Sequence, residues 1–174
     1  MLGIAVLYSK GFTLVELVVV IVILGILSVT AAPKFLNFTS DAKRATVQGF
    51  LGAMSAQVSM LNATAMIAGG SGNDVNVQTD YGLYQFWRGY PETKSEATNP
   101  NRYFIQTFIN LGTPTSETVN NSTRVATHGD VSVYESNGVS RIGYGSGNLG
   151  AGQCYAQYLH TGSTESLTVV TDGC

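Results

Sequence analysis

Residues 11–33, GFTLVELVVVIVILGILSVTAAP, decide how the rest of the chain must be read. No charge occurs from Leu17 to Pro33, and the run from Phe12 to Pro33 holds one acid, Glu16. At a rise of about 1.5 Å per residue, about 20 apolar residues span the roughly 30 Å hydrocarbon core of a bilayer. The sequence therefore predicts a membrane-spanning helix over residues 12–33. A secretory signal that is cut away would have a shorter apolar run and an Ala-x-Ala-like exit. Ala31-Ala32 imitates such an exit, but Pro33 and Lys34 follow it. A carboxylate inside the bilayer costs roughly 2.5–3.5 kcal/mol on insertion scales. Glu16 thus either sits near the interface, where the cost is small, or meets a partner.

The helix is expected to continue beyond the membrane. Val47, Phe50/Leu51, Met54, Val58, Leu61 and Ala65 recur at steps of three and four, with Gln48, Ser55, Gln57, Ser59 and Asn62 on other faces. That spacing predicts an amphipathic helix over 34–69 whose stripe covers the hydrophobic face of a head domain. Gly69-Gly70 supply a left-handed stop. Gly25 and Pro33 interrupt the run, so a kink or a melted stretch between them is expected.

Composition limits what remains. The chain has 174 residues, 11% charged, with a formal net charge of −2. Its four Lys/Arg before Gly69 are spread along the chain, which leaves no basic face for a nucleic acid. A charged share about half the usual one makes an ordinary free-floating enzyme a poor reading. Residues 70–174 hold nine acids and five bases, and are long enough to form a head with its own core. Val131/Val133, Ile142/Tyr144, Tyr155/Gln157/Leu159 and Leu167/Val169 alternate with polar residues between turn clusters, predicting about four antiparallel strands packed on the long helix. The aromatics between Tyr81 and Phe108 suggest a short helix or two around 102–111 and a surface loop. The fold class is therefore α+β. Cys154 and Cys174 permit one intramolecular bridge or two buried thiols, and no Cys-x-x-Cys spacing exists for zinc or redox chemistry.

Gly11-Phe12-Thr13-Leu14-Val15-Glu16, after a leader ending in Ser9-Lys10, resembles the type IV pilin signature. The resemblance covers Lys10 to about Gly69. It implies that residues 1–11 are a leader cut between Gly11 and Phe12 by a prepilin peptidase, and that the new amino terminus of Phe12 is methylated. Glu16 would then face the positive amino terminus of a neighbouring subunit. The segment between Gly25 and Pro33 is similar to the pilin region that loses helicity on packing into the filament. A disulfide between Cys154 and Cys174, closing the 154–174 loop, also fits the family. VELVVVIVILGILSVTAAPKFLNFTSDA, Gly89-Tyr90-Pro91 and the closing Cys-Tyr and Gly-Cys pairs are most similar to the mannose-sensitive haemagglutinin (MSHA) branch.

What the resemblance implies is a structural subunit. It would reside in the inner membrane as a prepilin, then polymerise with identical subunits, through the pilus assembly machinery, into a surface filament for adhesion, with motility a further role. A pseudopilin of type II secretion shares the amino-terminal signature, and would be favoured by a calcium site and an absent disulfide. A membrane-tethered enzyme or binding module is the other alternative. Its case is poor, since His128 and His160 belong to no catalytic context and Gly143 to Gly147 lacks the setting of a dinucleotide fingerprint. Asp80, Asp130 and Asp172 form no calcium-loop pattern. No catalytic residue, metal or cofactor is implied.

Overall fold

The computed structural model describes residues 11–98, 100–120, 122–162 and 164–174, so the expected leader lies, apart from Gly11, outside the described residues. The chain divides into two units, residues 1–39 and 40–174.

In the first unit the helix α1, Leu14–Ile67, begins. Every side chain from Phe12 to Ala31 is exposed. The window Leu14–Ala31 has a mean hydropathy of 2.8 and none of it is buried. A helix apolar on all sides must be covered by lipid or by other helices. Its few polar side chains are satisfied within the helix: Ser28 Oγ donates to the Leu24 carbonyl at 2.7 Å and Thr30 Oγ1 to that of Leu27 at 2.9 Å. The helix is assigned without a break at Gly25 or at residue 33.

The second unit contains the rest of α1. Val47, Met54, Val58, Leu61 and Ala65 are buried, at steps of seven, four, three and four that place them on one face. The helix ends as its glycines require. Gly69 adopts φ +74°, its N–H donates to Met66 C=O at 3.3 Å, and Gly70 N–H donates to Ala65 C=O at 2.7 Å. These are the paired bonds of a Schellman stop. A Cβ on Gly70 would lie 2.7 Å from Val77 Cγ2, so close packing also demands glycine there.

After this stop, β1 (Val75–Thr79), β2 (Gly82–Trp87) and β3 (Tyr90–Pro91) form a three-stranded antiparallel sheet. Its Val77, Tyr84 and Phe86 enter the core, with Val77 opposite Tyr84. The short pair β4 (Lys94–Ser95) and β5 (Arg102–Tyr103) leads into α2, Phe104–Phe108, which buries Phe104, Ile105 and Phe108. The remaining strands are β6 (Ser116–Val119), β7 (Thr123–His128), β8 (Val131–Ser136), β9 (Val139–Gly143), β10 (Tyr155–His160) and β11 (Glu165–Val170). They make one six-stranded antiparallel meander in sequential order. The four expected strands are β8 to β11. The sequence reading is corrected by the two further strands β6 and β7, and by the strands between 75 and 103, where a loop was expected.

Strand register aligns the core in rungs. Ala126, Val133, Ile142 and Ala156 are successive partners across β7 to β10 and join the α1 stripe in one hydrophobic cluster. The adjacent rung, Arg124, Glu135, Ser140 and Tyr158, is polar. The buried tyrosines keep their hydroxyls satisfied: Tyr158 Oη donates to Pro91 C=O and Tyr84 Oη to Glu92 C=O, both at 2.7 Å. Phe104 packs on Tyr158 at 4.9 Å and Phe108 on Tyr84 at 4.7 Å between ring centroids.

Cys154 and Cys174 are joined in a disulfide whose Cα atoms lie 4.9 Å apart, enclosing β10 and β11. Ser40 Oγ donates to the Cys174 carbonyl at 2.9 Å.

Candidate assembly site

The sequence places its chemistry at the start of α1, and the local geometry there is specific. Thr13 immediately precedes the helix. Its Oγ1 accepts Glu16 N–H at 3.2 Å. In return, Glu16 Oε2 accepts both Thr13 N–H and Thr13 Oγ1–H at 2.8 Å. This reciprocal exchange is a capping box, which satisfies donors that the first helical turn otherwise leaves open. The carboxylate also sits at the positive end of the helix dipole. Both donors go to Oε2, and Oε1 accepts no hydrogen bond among the described residues. Thr13 is the residue that sequence reasoning missed. The signal was present, since Thr-x-x-Glu before an apolar run is the capping-box spacing.

Gly11 and Phe12 precede the helix, and Phe12 is 88% exposed. A Cβ built on Gly11 or on Gly25 meets nothing within 4 Å among the described residues. Neither glycine is therefore required by packing within the described chain. The side chain of Pro33 lies outside the described residues. Gly11, Phe12 and Thr13 thus immediately precede α1 and Glu16 lies in its first turn, with Gly25 further along the same helix. Cys154 and Cys174 belong to the second unit.

That second unit also holds a buried ion pair, Arg124 with Glu135, which no pattern in the sequence announced. His160 is buried, and His128 Nδ1 is buried with no hydrogen-bond partner among the described residues. Among the described residues no group of three His, Cys, Asp or Glu side chains is arranged to hold a metal ion.

Residues 7–32 match the prokaryotic N-terminal methylation motif, the amino-terminal motif of type IV prepilins. Over 39 residues the chain is 54% identical to the type IV narrow pilus major component PilA5 of Thermus thermophilus. That match covers 22% of this chain and 34% of the relative, so the chain spans about a third of that protein's length. No solved structure matches the chain.

Proposed function

We propose that this chain is a prepilin of the MSHA kind, the structural subunit of a type IV pilus. It is held in the inner membrane by residues 12–33, cut between Gly11 and Phe12 by a prepilin peptidase and methylated on Phe12. The assembly machinery then adds it to a helical homopolymer of identical subunits, which leaves the cell as a surface filament for adhesion.

The observation that carries this reading is a membrane-length helix, apolar on every side and uncovered by its own chain, whose single acid is held in place at its first turn. Lipid covers such a helix before assembly and like helices cover it afterwards. Thr13 holds Oε2 of Glu16, and Oε1 remains for the amino terminus of a neighbouring Phe12. An opposite charge offsets the desolvation of a carboxylate taken out of water. The methylation motif and the partial likeness to a pilus component support the same reading. The Cys154–Cys174 bond favours it over a pseudopilin.

Electron microscopy of sheared surface filaments, with mass spectrometry of their subunit, tests it. The expected result is filaments built from a chain beginning at N-methylated Phe12. A filament protein with an intact leader or a start after Ala32, or the absence of this chain from filaments, would overturn it.

A further inference from the structure

A cleft of about 460 Å³ opens in the second unit, lined by Asp74, Trp87, Glu92, Glu96, Asn137 and His160 among others. Two of its donors are committed. Lys94 Nζ lies 2.7 Å from Glu96 Oε1, and Gln85 Nε2 donates to Asp74 Oδ1 at 3.1 Å. The Trp87 indole N–H is buried and has no hydrogen-bond partner among the described residues.

Two further groups, Glu92 and His160, have no such match. Glu92 is half-buried, and its carboxylate has no hydrogen bond or ion pair among the described residues. Burial, then Asp74, then Glu96 push this carboxyl up to about 7, the mark of a negative charge without compensation. His160 supplies an independent observation. It is only 6% exposed, its ring stacks on Tyr158, and neither ring nitrogen has a hydrogen-bond partner among the described residues. Burial lowers its pKa although Glu165 opposes this, which favours the neutral imidazole, a ring with one acceptor nitrogen and one N–H donor.

We propose that this cleft binds an organic ammonium group, with Glu92, Asp74 and His160 accepting its N–H donors and Trp87 forming an aromatic wall beside it. An ammonium brings three donors and a positive charge, which is what the unmatched acceptors lack. Tryptophan is the aromatic residue that attracts a cation best. A free polyamine and a lysine side chain of another polypeptide share this chemistry.

Trp87 is the one tryptophan of the chain, so its fluorescence reports on the cleft. The full chain in a neutral detergent is titrated with spermidine, with a lysine peptide acetylated only at its amino terminus and with a neutral hexose. Saturable change with either amine is expected, weaker at high salt. Saturation by spermidine assigns a free amine, and saturation by the lysine peptide alone assigns a polypeptide side chain. Glu92→Gln should weaken amine binding about tenfold, the loss of one charge-assisted hydrogen bond, with an unchanged circular dichroism spectrum. Asp74→Asn is the second variant, at an exposed position with φ +52° that Asn tolerates. No response to either amine, a response to the hexose alone, or amine binding unaltered in both variants would overturn the proposal.

Discussion

Arg124 Nη1 and Glu135 Oε2 meet at 2.9 Å between adjacent strands β7 and β8, with Glu135 wholly buried and Arg124 4% exposed. Neither charge is left with one contact. Arg124 Nε also reaches Glu117 Oε1 at 2.6 Å. Glu135 accepts the backbone N–H groups of Ile105 and Gln106 at the start of α2, and Ser140 Oγ–H at 3.3 Å. The carboxylate thus ties α2 to the sheet by satisfying donors that a short helix leaves open.

Removing one partner of this pair leaves the other charge buried. Glu135→Ala is expected to lower stability by about 3–5 kcal/mol. The double replacement Arg124→Met with Glu135→Leu should recover much of that loss, because it removes both charges together. Denaturant midpoints of the two variants and the wild type make the comparison.

Two carboxyls give the second unit an inverted pH response. Glu135 is pushed up to about 7 by burial, against the pull of Arg124 and the N–H donors, and Glu92 up to about 7 by burial with Asp74 and Glu96. A carboxyl raised in the folded state binds protons there that the unfolded chain has already released. Its contribution to stability is therefore full below about 4.5 and is lost as pH rises through about 7. The two carboxyls should pull melting temperatures down from pH 5 to pH 8, against His160, whose lowered pKa acts the other way, and Glu92→Gln should reduce that pull without abolishing it, since Glu135 remains.

The disulfide closes a loop with a sequence separation of 20. A loop of that size restricts the unfolded chain by about 3 kcal/mol. Cys174→Ser should lose about that much, and reduction of the wild type should match it, measured by denaturation with and without reductant.

Thr13 and Glu16 separate the cap from the charge. Thr13→Val should cost about 1 kcal/mol at the helix start yet still give filaments, because the carboxylate remains. Glu16→Val should give a processed, membrane-resident subunit that stays out of filaments, and Glu16→Asp an intermediate yield. The measurement is pilus yield against membrane abundance, with leader cleavage checked in each. Normal yield from Glu16→Val would mean that the charge plays no part in docking.

The legible elements were those whose pattern follows the usual partition of polar and apolar residues. The α1 stripe from Val47 to Ala65 is buried as that partition requires, and β8 to β11 were marked by the turn clusters between them, although β8 buries Ser132 and Glu135 and β10 buries every residue but Leu159. In β7 the inward positions are Arg124 and Ala126 while Val125 faces outward, so its alternation is inverted by the buried ion pair. Strand β6 buries none of its four residues and so carries no hydrophobic period. The β2–β3 turn uses Arg88 at φ +52° before Gly89 at φ +84°, where Asn-Gly would have announced a hairpin. At the candidate assembly site the acid was evident, whereas its cap had to be read from the Thr13-x-x-Glu16 spacing just ahead of the apolar run.

The fastening of Cys174 determines how the second unit carries tension. Its neighbour Gly173 donates N–H to Gln153 C=O at 2.9 Å, and a Cβ at position 173 would come within 1.9 Å of the Gly152 carbonyl oxygen. Edge strand β11 pairs with β10 alone. A pull at Cys174 would otherwise begin by parting Val170 from Tyr155 and then unzip the hairpin one pair at a time. The bond to Cys154 carries that force directly to the residue before β10, bypassing β11. The mechanical weak point of the sheet thereby moves away from its last strand, and the load falls on ladders that must break several hydrogen bonds together.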